Sequence, residues 1–225
     1  MNIERVRPLR IIRLRRPPVF ASVPERFVPT HVSLEEVDAC WSALCARNEK
    51  YFDGGLVQVL GTSRNGHGGV SIHVQPCAYR FFAVQMHGLA CGVRPLGVKA
   101  IVSAGASYLI GRRSRHVAAY PGTWEFVPGG GLENTEDVES ELRREFEEEV
   151  GSALPAGVRP IAIALLDDPV TRTWDIIYRV QLEATCELKP SFEHDAMCFV
   201  NFDALRALTS PSPALTAMLA LLPSS

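Results

Sequence analysis

Residues 133–149 hold nine acidic side chains and only two arginines, so this short segment carries a net charge of −7. Its apolar residues recur every three or four positions, which is the period of an α-helix that buries one face. Gly151 follows, and glycine is favoured just after the end of a helix. The apolar stripe consists of Val138, Leu142, Phe146 and Val150. The pattern therefore predicts a helix over residues 134–150 that packs on a core while it carries a dense negative charge.

Three carboxylates are predicted at the edge of this stripe. On a helical wheel of about 100° per residue, Glu145, Glu148 and Glu149 border the apolar side. Glu141 lies on the same border, whereas Glu147 points toward water. Like charges three and four residues apart repel each other by a few tenths of a kcal/mol per pair. A hard divalent cation removes this repulsion, because Mg²⁺ takes carboxylate oxygens and keeps water molecules for a phosphate substrate. The alternative interpretation is a solvated acidic face, and spacing alone does not decide between the two.

Composition excludes several classes of protein. Hydrophobic residues make up 47% and charged residues 21% of the 225 residues, as in an ordinary globular protein. The net charge of −2 argues against a uniformly basic nucleic-acid-binding protein. No apolar run reaches the roughly 18 residues of a membrane span, and the N-terminus lacks the apolar core of a signal peptide. Six cysteines without a CxxC pair predict free thiols and a cytoplasmic location.

Three segments are predicted along the chain. Residues 1–30 are rich in arginine and proline, and residues 31–95 are predicted to form a subdomain of a helix and strands. Residues 96–225 are predicted to form the main domain, in which strands alternate with helices. This order of elements is typical of an α/β or α+β fold rather than a helix bundle.

Individual elements can be placed by their local patterns. Ser33 and Glu36 form a capping box, which predicts a helix that ends near Asn48. Residues 70–76 alternate as a half-buried strand, whereas residues 79–87 show no clear period. An apolar strand, a turn of small residues and another strand are predicted within residues 98–114. Short strands are predicted at residues 123–128, 161–167, 174–184 and 198–202, with a glycine loop at 129–131 and two helices after residue 202.

The glycine loop and the acidic helix complete a longer motif. Its fixed positions are Gly130, then after five residues Glu136, then after seven residues Arg144, Glu145 and Phe146, then Glu148, Glu149 and Gly151. This motif resembles the Nudix box, with Ser152 where the family usually has an aliphatic residue. The resemblance implies a Nudix α/β/α sandwich with a mixed sheet, to which the preceding helix and strands are an N-terminal extension. It also implies hydrolysis of a nucleoside diphosphate linked to another moiety, a small-molecule substrate, with Mg²⁺ or Mn²⁺ as the cofactor.

The resemblance assigns roles to the residues of the box. Glu145, Glu148 and Glu149 match the metal-binding glutamates, and Arg144 matches the arginine that orients their carboxylates. A carboxylate must take a proton from the attacking water, and a box glutamate or one on a distant loop could do so. Glu193, just before the last predicted strand, is the loop candidate, and a solvated loop carboxylate is its alternative.

Further residues are expected to support the site or to bind the substrate. Glu136 matches the outer glutamate of the box, Gly130 the loop glycine that shapes the metal site, and Gly151 the end of the helix. Guanidinium groups bind phosphate oxygens in bidentate fashion. Three arginines before the box are therefore candidates for the diphosphate: Arg112, Arg113 and Arg115. Because neighbours on a strand alternate faces, Arg112 and Arg113 cannot share one side.

The sequence upstream of the box narrows the resemblance. The segments PLGV and RRSRHVAAYPG resemble the UDP-glucose pyrophosphatase branch of the Nudix proteins, which cleaves UDP-glucose or UDP-galactose to UMP and sugar 1-phosphate. That branch tends to have a degenerate box, whereas the box here is intact. Two alternatives stay open: hydrolysis of ADP-ribose or another nucleoside diphosphate, and a catalytically silent domain that binds a nucleotide sugar.

The arginine-rich N-terminus has a separate interpretation. Six of the first sixteen residues are arginine, but the aromatic platform typical of single-stranded nucleic-acid binding is missing from this stretch. A nucleic-acid partner is therefore not favoured. Residues 10–16 are predicted to form an edge strand with exposed arginines, or a contact in a homodimer.

Overall fold

The computed structural model describes residues 8–223, so the first seven residues of the predicted N-terminal segment and the last two of the chain lie outside it. The helices are α1 (Leu34–Arg47), α2 (Tyr79–Met86), α3 (Val138–Val150), α4 (Phe202–Arg206) and α5 (Pro213–Met218), which a short 3₁₀ helix follows (Leu219–Leu221). The strands are β1 (Arg10–Arg13), β2 (Val19–Ser22), β3 (Gly55–Arg64), β4 (Val70–Ala78), β5 (Leu96–Ala104), β6 (Ser107–Arg113), β7 (Trp124–Phe126), β8 (Gly129–Gly131), β9 (Ile161–Asp168), β10 (Thr173–Leu182) and β11 (His194–Asn201).

The larger of two sheets is mixed and has eight strands. Its main order is β1-β9-β10-β5-β6-β11, with β5 and β10 parallel and the other pairs antiparallel. A smaller sheet of three strands has the order β2-β4-β3. β1 lies at the edge of the large sheet, and its pairing with β9 confirms the predicted edge strand.

Elements cover both faces of the large sheet. Helix α3 and the small sheet pack on one face, around the even-numbered apolar residues of β5 and β10. Helices α4 and α5 pack on the other face, around Ile101 and Ile177. Helices α1 and α2 form a smaller core of their own against the ends of β3 and β4. The predicted α/β sandwich with a mixed sheet is therefore confirmed, while the boundary predicted at residues 95/96 stays a proposal.

The centre of the large sheet is split. β5 pairs with β6 only at Ser103 and Ala104, and the two strands then separate. Beyond the point of separation, β8 pairs with β5, and β7 pairs with β6. β7 and β8 are joined through the cis Val127–Pro128 peptide. α3 is the next element after β8, so the acidic helix begins a few residues beyond this opening.

Several predicted elements form as expected. α1 carries the capping box at Ser33 and ends before Asn48, and Gly151 adopts the left-handed conformation at the end of α3 with φ +76°. All six cysteines are free. Among residues 8–223, every helix is too short or too polar for a membrane crossing.

Two predictions were wrong, and one segment had no prediction. α3 begins at Val138 instead of residue 134, because the Asp137 side chain accepts a hydrogen bond from the Ser140 amide and caps the helix there. The glycines 129–131 form strand β8 instead of a loop, since their backbone pairs with β5. Residues 79–86, which show no sequence period, form helix α2 and bury Phe81 and Val84.

Candidate active site

Glu149 lies in the opening between β5 and β6, beside the first residue of β8. The last turn of α3 delivers it, and only 5% of the residue is exposed. The Gly129 amide faces both of its carboxylate oxygens at 3.4 Å. Burial, and then repulsion from Glu125 and Glu193, raise the pKa of Glu149 well above its usual value. A negative charge at this position is therefore costly unless a cation compensates it.

Glu145 lies one turn earlier and rests on the backbone of β8. A Cβ atom at Gly130 would overlap the Glu145 carboxyl group, so only glycine leaves room for it. Burial raises the pKa of Glu145 to about 7, against the attraction of Arg144 and with a further contribution from Glu148. The predicted role of Gly130 in shaping the site thus has a direct steric basis.

Arg144 binds three carboxylates of its own helix. Its guanidinium donates to Glu141 at 3.0 Å, to Glu145 at 2.6 Å and to Glu148 at 2.8 Å. The side chain of Glu148 is 59% exposed, so it does not share the buried margin that the helical wheel predicts for it. Within residues 8–223, no group of three carboxylate, histidine or cysteine side chains is close enough together to hold a metal ion in this conformation. Arg144 therefore takes the place of a cation for two of the box glutamates.

The loop before β11 brings Glu193 to the same opening. Its charge contributes to the raised pKa of both Glu145 and Glu149. The loop is tied to α3 by the Ser191 amide, which donates to the Glu149 carbonyl at 3.3 Å. It also contacts the segment after α1, because Lys50 Nζ lies 4.3 Å from the centre of the Phe192 ring. The structure thus brings the loop carboxylate predicted from sequence toward the box glutamates.

A buried cluster of charges lies beside Glu149 and escaped the sequence analysis. Glu125 of β7 accepts from Lys99 Nζ at 3.2 Å, from His194 Nε2 at 3.2 Å and from Arg113 Nη1. Burial alone would raise the pKa of Glu125, but Lys99, His194 and Arg113 outweigh it and hold that pKa well below the usual range. The cluster keeps a carboxylate ionised next to Glu149.

Asp175 adds another carboxylate on the β5 side of the opening. Its Oδ1 and the Gly130 carbonyl both crowd the position that a Cβ at Gly97 would take. Burial raises the pKa of Asp175 to about 6, although the Lys99 ammonium opposes the rise. The only signal in the sequence is a charged residue inside each of the apolar strands β5 and β10, as with Lys99 and Asp175.

The three candidate arginines are separated by the structure. Arg112 lies over the Trp124 ring at 5.9 Å, and Arg115 is exposed beyond the end of β6. Arg113 faces the carboxylates, but its Nε donates to the Ala119 carbonyl at 2.7 Å and its Nη1 to Glu125. Only Nη2 of Arg113 is left for the diphosphate contact that the sequence predicts.

The outer positions of the box are structural. Glu136 is exposed, and its amide donates a hydrogen bond to the side-chain oxygen of Asn134 at 2.9 Å, so it stays outside the opening. Ser152, the departure from the box, donates from its hydroxyl to the Glu187 carbonyl at 2.8 Å. Ser152 therefore links the end of α3 to the segment before β11 and does not contact the carboxylates.

The fold and the site define a class of protein: an α/β sandwich with a split mixed sheet, in which an acidic helix brings carboxylates into the split. Residues 93–219, more than half of the chain, match the family model of the NUDIX domain, so the chain belongs to the Nudix family. No protein with a curated description matches the chain significantly by sequence.

Solved structures with a related fold include several Nudix proteins. A MutT Nudix hydrolase from Burkholderia pseudomallei is 25% identical, with a TM-score of 0.45 over 57% of this chain and 97% of the other. The Nudix domain of Shewanella oneidensis NrtR, solved with ADP ribose, is 15% identical, with a TM-score of 0.46 over 60% and 93%. A MutT protein from Methanosarcina mazei Go1 is 20% identical, with a TM-score of 0.44 over 56% and 90%.

Proposed function

We propose that the chain is a metal-dependent hydrolase that cleaves the diphosphate bond of a nucleoside diphosphate linked to another moiety. The observation that carries the proposal is the pair of carboxylates held against the glycine backbone of β8 with raised pKa values, the partly buried Glu145 and the buried Glu149. Membership of the Nudix family and the intact box support it.

The donor chemistry of the opening fits Mg²⁺ or Mn²⁺. Both ions prefer oxygen ligands, and a buried site rich in carboxylates gains most from a cation. Glu145, Glu148 and Glu149 would hold it, after Glu145 and Glu148 turn away from Arg144. When bound, such an ion neutralises the diphosphate and lowers the pKa of a coordinated water.

The residues around the opening divide the remaining work. Arg144 orients Glu145 and Glu148 until they bind a cation. Glu193 takes the proton of the attacking water, since it approaches the box glutamates from a separate loop. Lys99 and Arg113 fix Glu125, whose negative charge adds to the attraction for a cation at Glu149.

For the substrate, we propose a nucleotide sugar such as UDP-glucose, cleaved to UMP and glucose 1-phosphate. The support is the similarity of residues 95–151 to the UDP-glucose pyrophosphatase branch. ADP-ribose is the alternative substrate. A cytoplasmic location is proposed from the six free cysteines.

A substrate screen tests this function. Purified protein is incubated with UDP-glucose, UDP-galactose, ADP-ribose or a dinucleoside polyphosphate, each with Mg²⁺, Mn²⁺ or EDTA, and the products are separated by ion-exchange chromatography. We expect UMP and sugar 1-phosphate in equal amounts from the UDP-sugars, and none in EDTA. Faster cleavage of ADP-ribose than of the UDP-sugars would make ADP-ribose the preferred substrate and leave the proposed reaction type unchanged. Binding of UDP-glucose without turnover of any compound would identify a silent domain instead.

A further inference from the structure

A cavity of about 710 Å³ lies between the N-terminal segment, the small sheet and the edge of the large sheet. This volume is within the range of small-molecule sites. Six residues define its character: Arg10, Thr62, Arg94, Asp167, Arg172 and Trp174. Arg10 belongs to the arginine-rich N-terminus, whose function the active site leaves unexplained. We refer to this cavity as the arginine pocket.

The arginine pocket has an excess of positive charge. Three guanidinium groups face one carboxylate, and that carboxylate, Asp167, lies 3.8 Å from Arg10. Arg94 and Arg172 form no ion pair with any residue from 8 to 223. Guanidinium groups without a carboxylate partner are well suited to phosphate oxygens, which they bind with paired hydrogen bonds.

Trp174 organises two of these cations. The ring is buried, with 2% of the residue exposed, and Arg10 and Arg94 lie 5.7 and 5.3 Å from its centre. Cations within about 6 Å of an indole ring are attracted to its face. Both guanidinium groups are thus held over one rigid surface, which lowers the entropy cost of binding an anion between them.

The third cation sits on a strained turn. Arg172 has φ +60°, a left-handed conformation that costs a residue with a side chain energy. The turn between β9 and β10 is fixed by Asp168, which accepts from the Val170 amide at 2.9 Å. Strain of this kind persists where the surrounding structure holds it, and it is common where ligands bind.

The arginine pocket is separate from the active site. No residue of α3, β7 or β8 lines the pocket, and no member of the charge cluster around Glu125 does so either. Arg10 and Thr62 also lie outside residues 93–219, so part of the wall comes from the chain that precedes the NUDIX match.

We propose that the arginine pocket is a second ligand site, which binds a small phosphorylated anion such as a nucleotide or a sugar phosphate. The two unpaired guanidinium groups contact the phosphate, and Thr62 adds a hydroxyl at the rim. Occupancy would fasten β1 to the turn after β9, because the ligand bridges both. The proposal does not depend on the reaction catalysed at α3.

The test is a titration with inorganic pyrophosphate in EDTA and low salt, followed by calorimetry. EDTA removes the divalent ions that would draw pyrophosphate to the acidic site. We expect one saturable site in the wild-type protein and in Arg47→Gln, an exposed arginine of α1 far from the pocket in the sequence. Arg94→Gln and Arg172→Gln should each weaken binding roughly tenfold, since each removes a charged hydrogen-bond donor.

A second measurement keeps the test decisive if a variant folds poorly. In the wild-type ¹H–¹⁵N spectrum, pyrophosphate should shift the indole signal of Trp174, identified by its loss in Trp174→Phe, and leave that of Trp41 in place. No saturable binding, or binding that shifts Trp41 alone, would overturn the proposal. Tighter binding of a single-stranded oligoribonucleotide, weakened by the same two arginine variants, would also overturn it and assign the surface to RNA.

Discussion

Gly130 gives the sharpest test of how the site is built. In Gly130→Ala the new Cβ would overlap the Glu145 carboxyl group, whereas in Gly131→Ala it would meet only Leu56 Cδ1, at 3.5 Å. The Glu145 carboxylate is the end of a flexible side chain, so it can move aside while the fold remains. The two neighbouring glycines of β8 therefore form a matched pair that differs in one contact.

The size of the effect follows from that contact. The Glu145 carboxyl carbon would lie 2.1 Å from the new Cβ and ordinary contact begins at 3.4 Å, so the carboxylate has to move by about 1.3 Å. A displacement of about 1 Å in a catalytic constellation costs on the order of 100-fold in rate. We expect kcat of Gly130→Ala to fall by about this factor, with its melting temperature within a few degrees of the wild type.

Initial rates on the best substrate of the screen, at saturating Mg²⁺, measure this effect. Gly131→Ala should keep at least half of the wild-type kcat. The reasoning is refuted if Gly130→Ala is fully active, or if both variants lose activity to the same extent. A matching loss of thermal stability in Gly130→Ala would point to disruption of the β5–β8 pairing instead.

Two further predictions concern stability. Asp175 has a pKa of about 6 in the folded protein against an ordinary value of 3.8, so its contribution to stability is full at low pH and is lost as pH rises through 6. With about 1.4 kcal/mol for each tenfold change in proton affinity, the full loss is about 3 kcal/mol. Because Asp175 of the unfolded chain is already partly ionised at pH 4, urea unfolding should show Asp175→Asn gaining about 2.5 kcal/mol on the wild type between pH 4 and pH 8. A constant difference would refute the shift. Glu125→Gln leaves Lys99 and Arg113 buried without their carboxylate and should lower the free energy of unfolding by about 3–5 kcal/mol. Glu187→Gln, in an exposed ion pair, should lower it by at most about 1 kcal/mol. Equal losses in the same denaturation assay would contradict the role of the cluster.

Much of the fold was predictable because local rules agree with the tertiary structure. The capping box at Ser33 and the apolar stripe of α3 each combine a local signal with burial, and both helices form. Helix α2 was missed because it buries Phe81 and Val84 inside a small core and shows no regular period in the sequence. Its helical state follows from packing against α1, which no single segment reveals.

The candidate site was predictable only where its residues are close in sequence. Glu145 and Glu149 lie one turn apart on one helix, so spacing alone places them together. The wheel misplaced Glu148, because Arg144 draws its long side chain outward into solvent. The residues around Glu125 come from three other strands, and a separation of up to 69 positions leaves no motif.

The split of the sheet explains why a buried charge cluster lies there. Where β5 and β6 separate, Lys99 of β5 and Arg113 of β6 both pair with Glu125, which lies between them in the gap. The cluster and the acidic helix therefore fill one opening from two sides. A cation at Glu149 would complete the balance of charge.

The central claim is that Glu149 holds the metal ion for diphosphate cleavage, and one comparison tests it most directly. Initial rates with Mg²⁺ are measured for wild type, Glu149→Gln and Glu147→Gln, a matched change at an exposed position of the same helix. The account predicts a loss of at least 100-fold for Glu149→Gln, weaker Mg²⁺ activation, and an unchanged rate for Glu147→Gln. Wild-type activity and Mg²⁺ dependence in Glu149→Gln would contradict it.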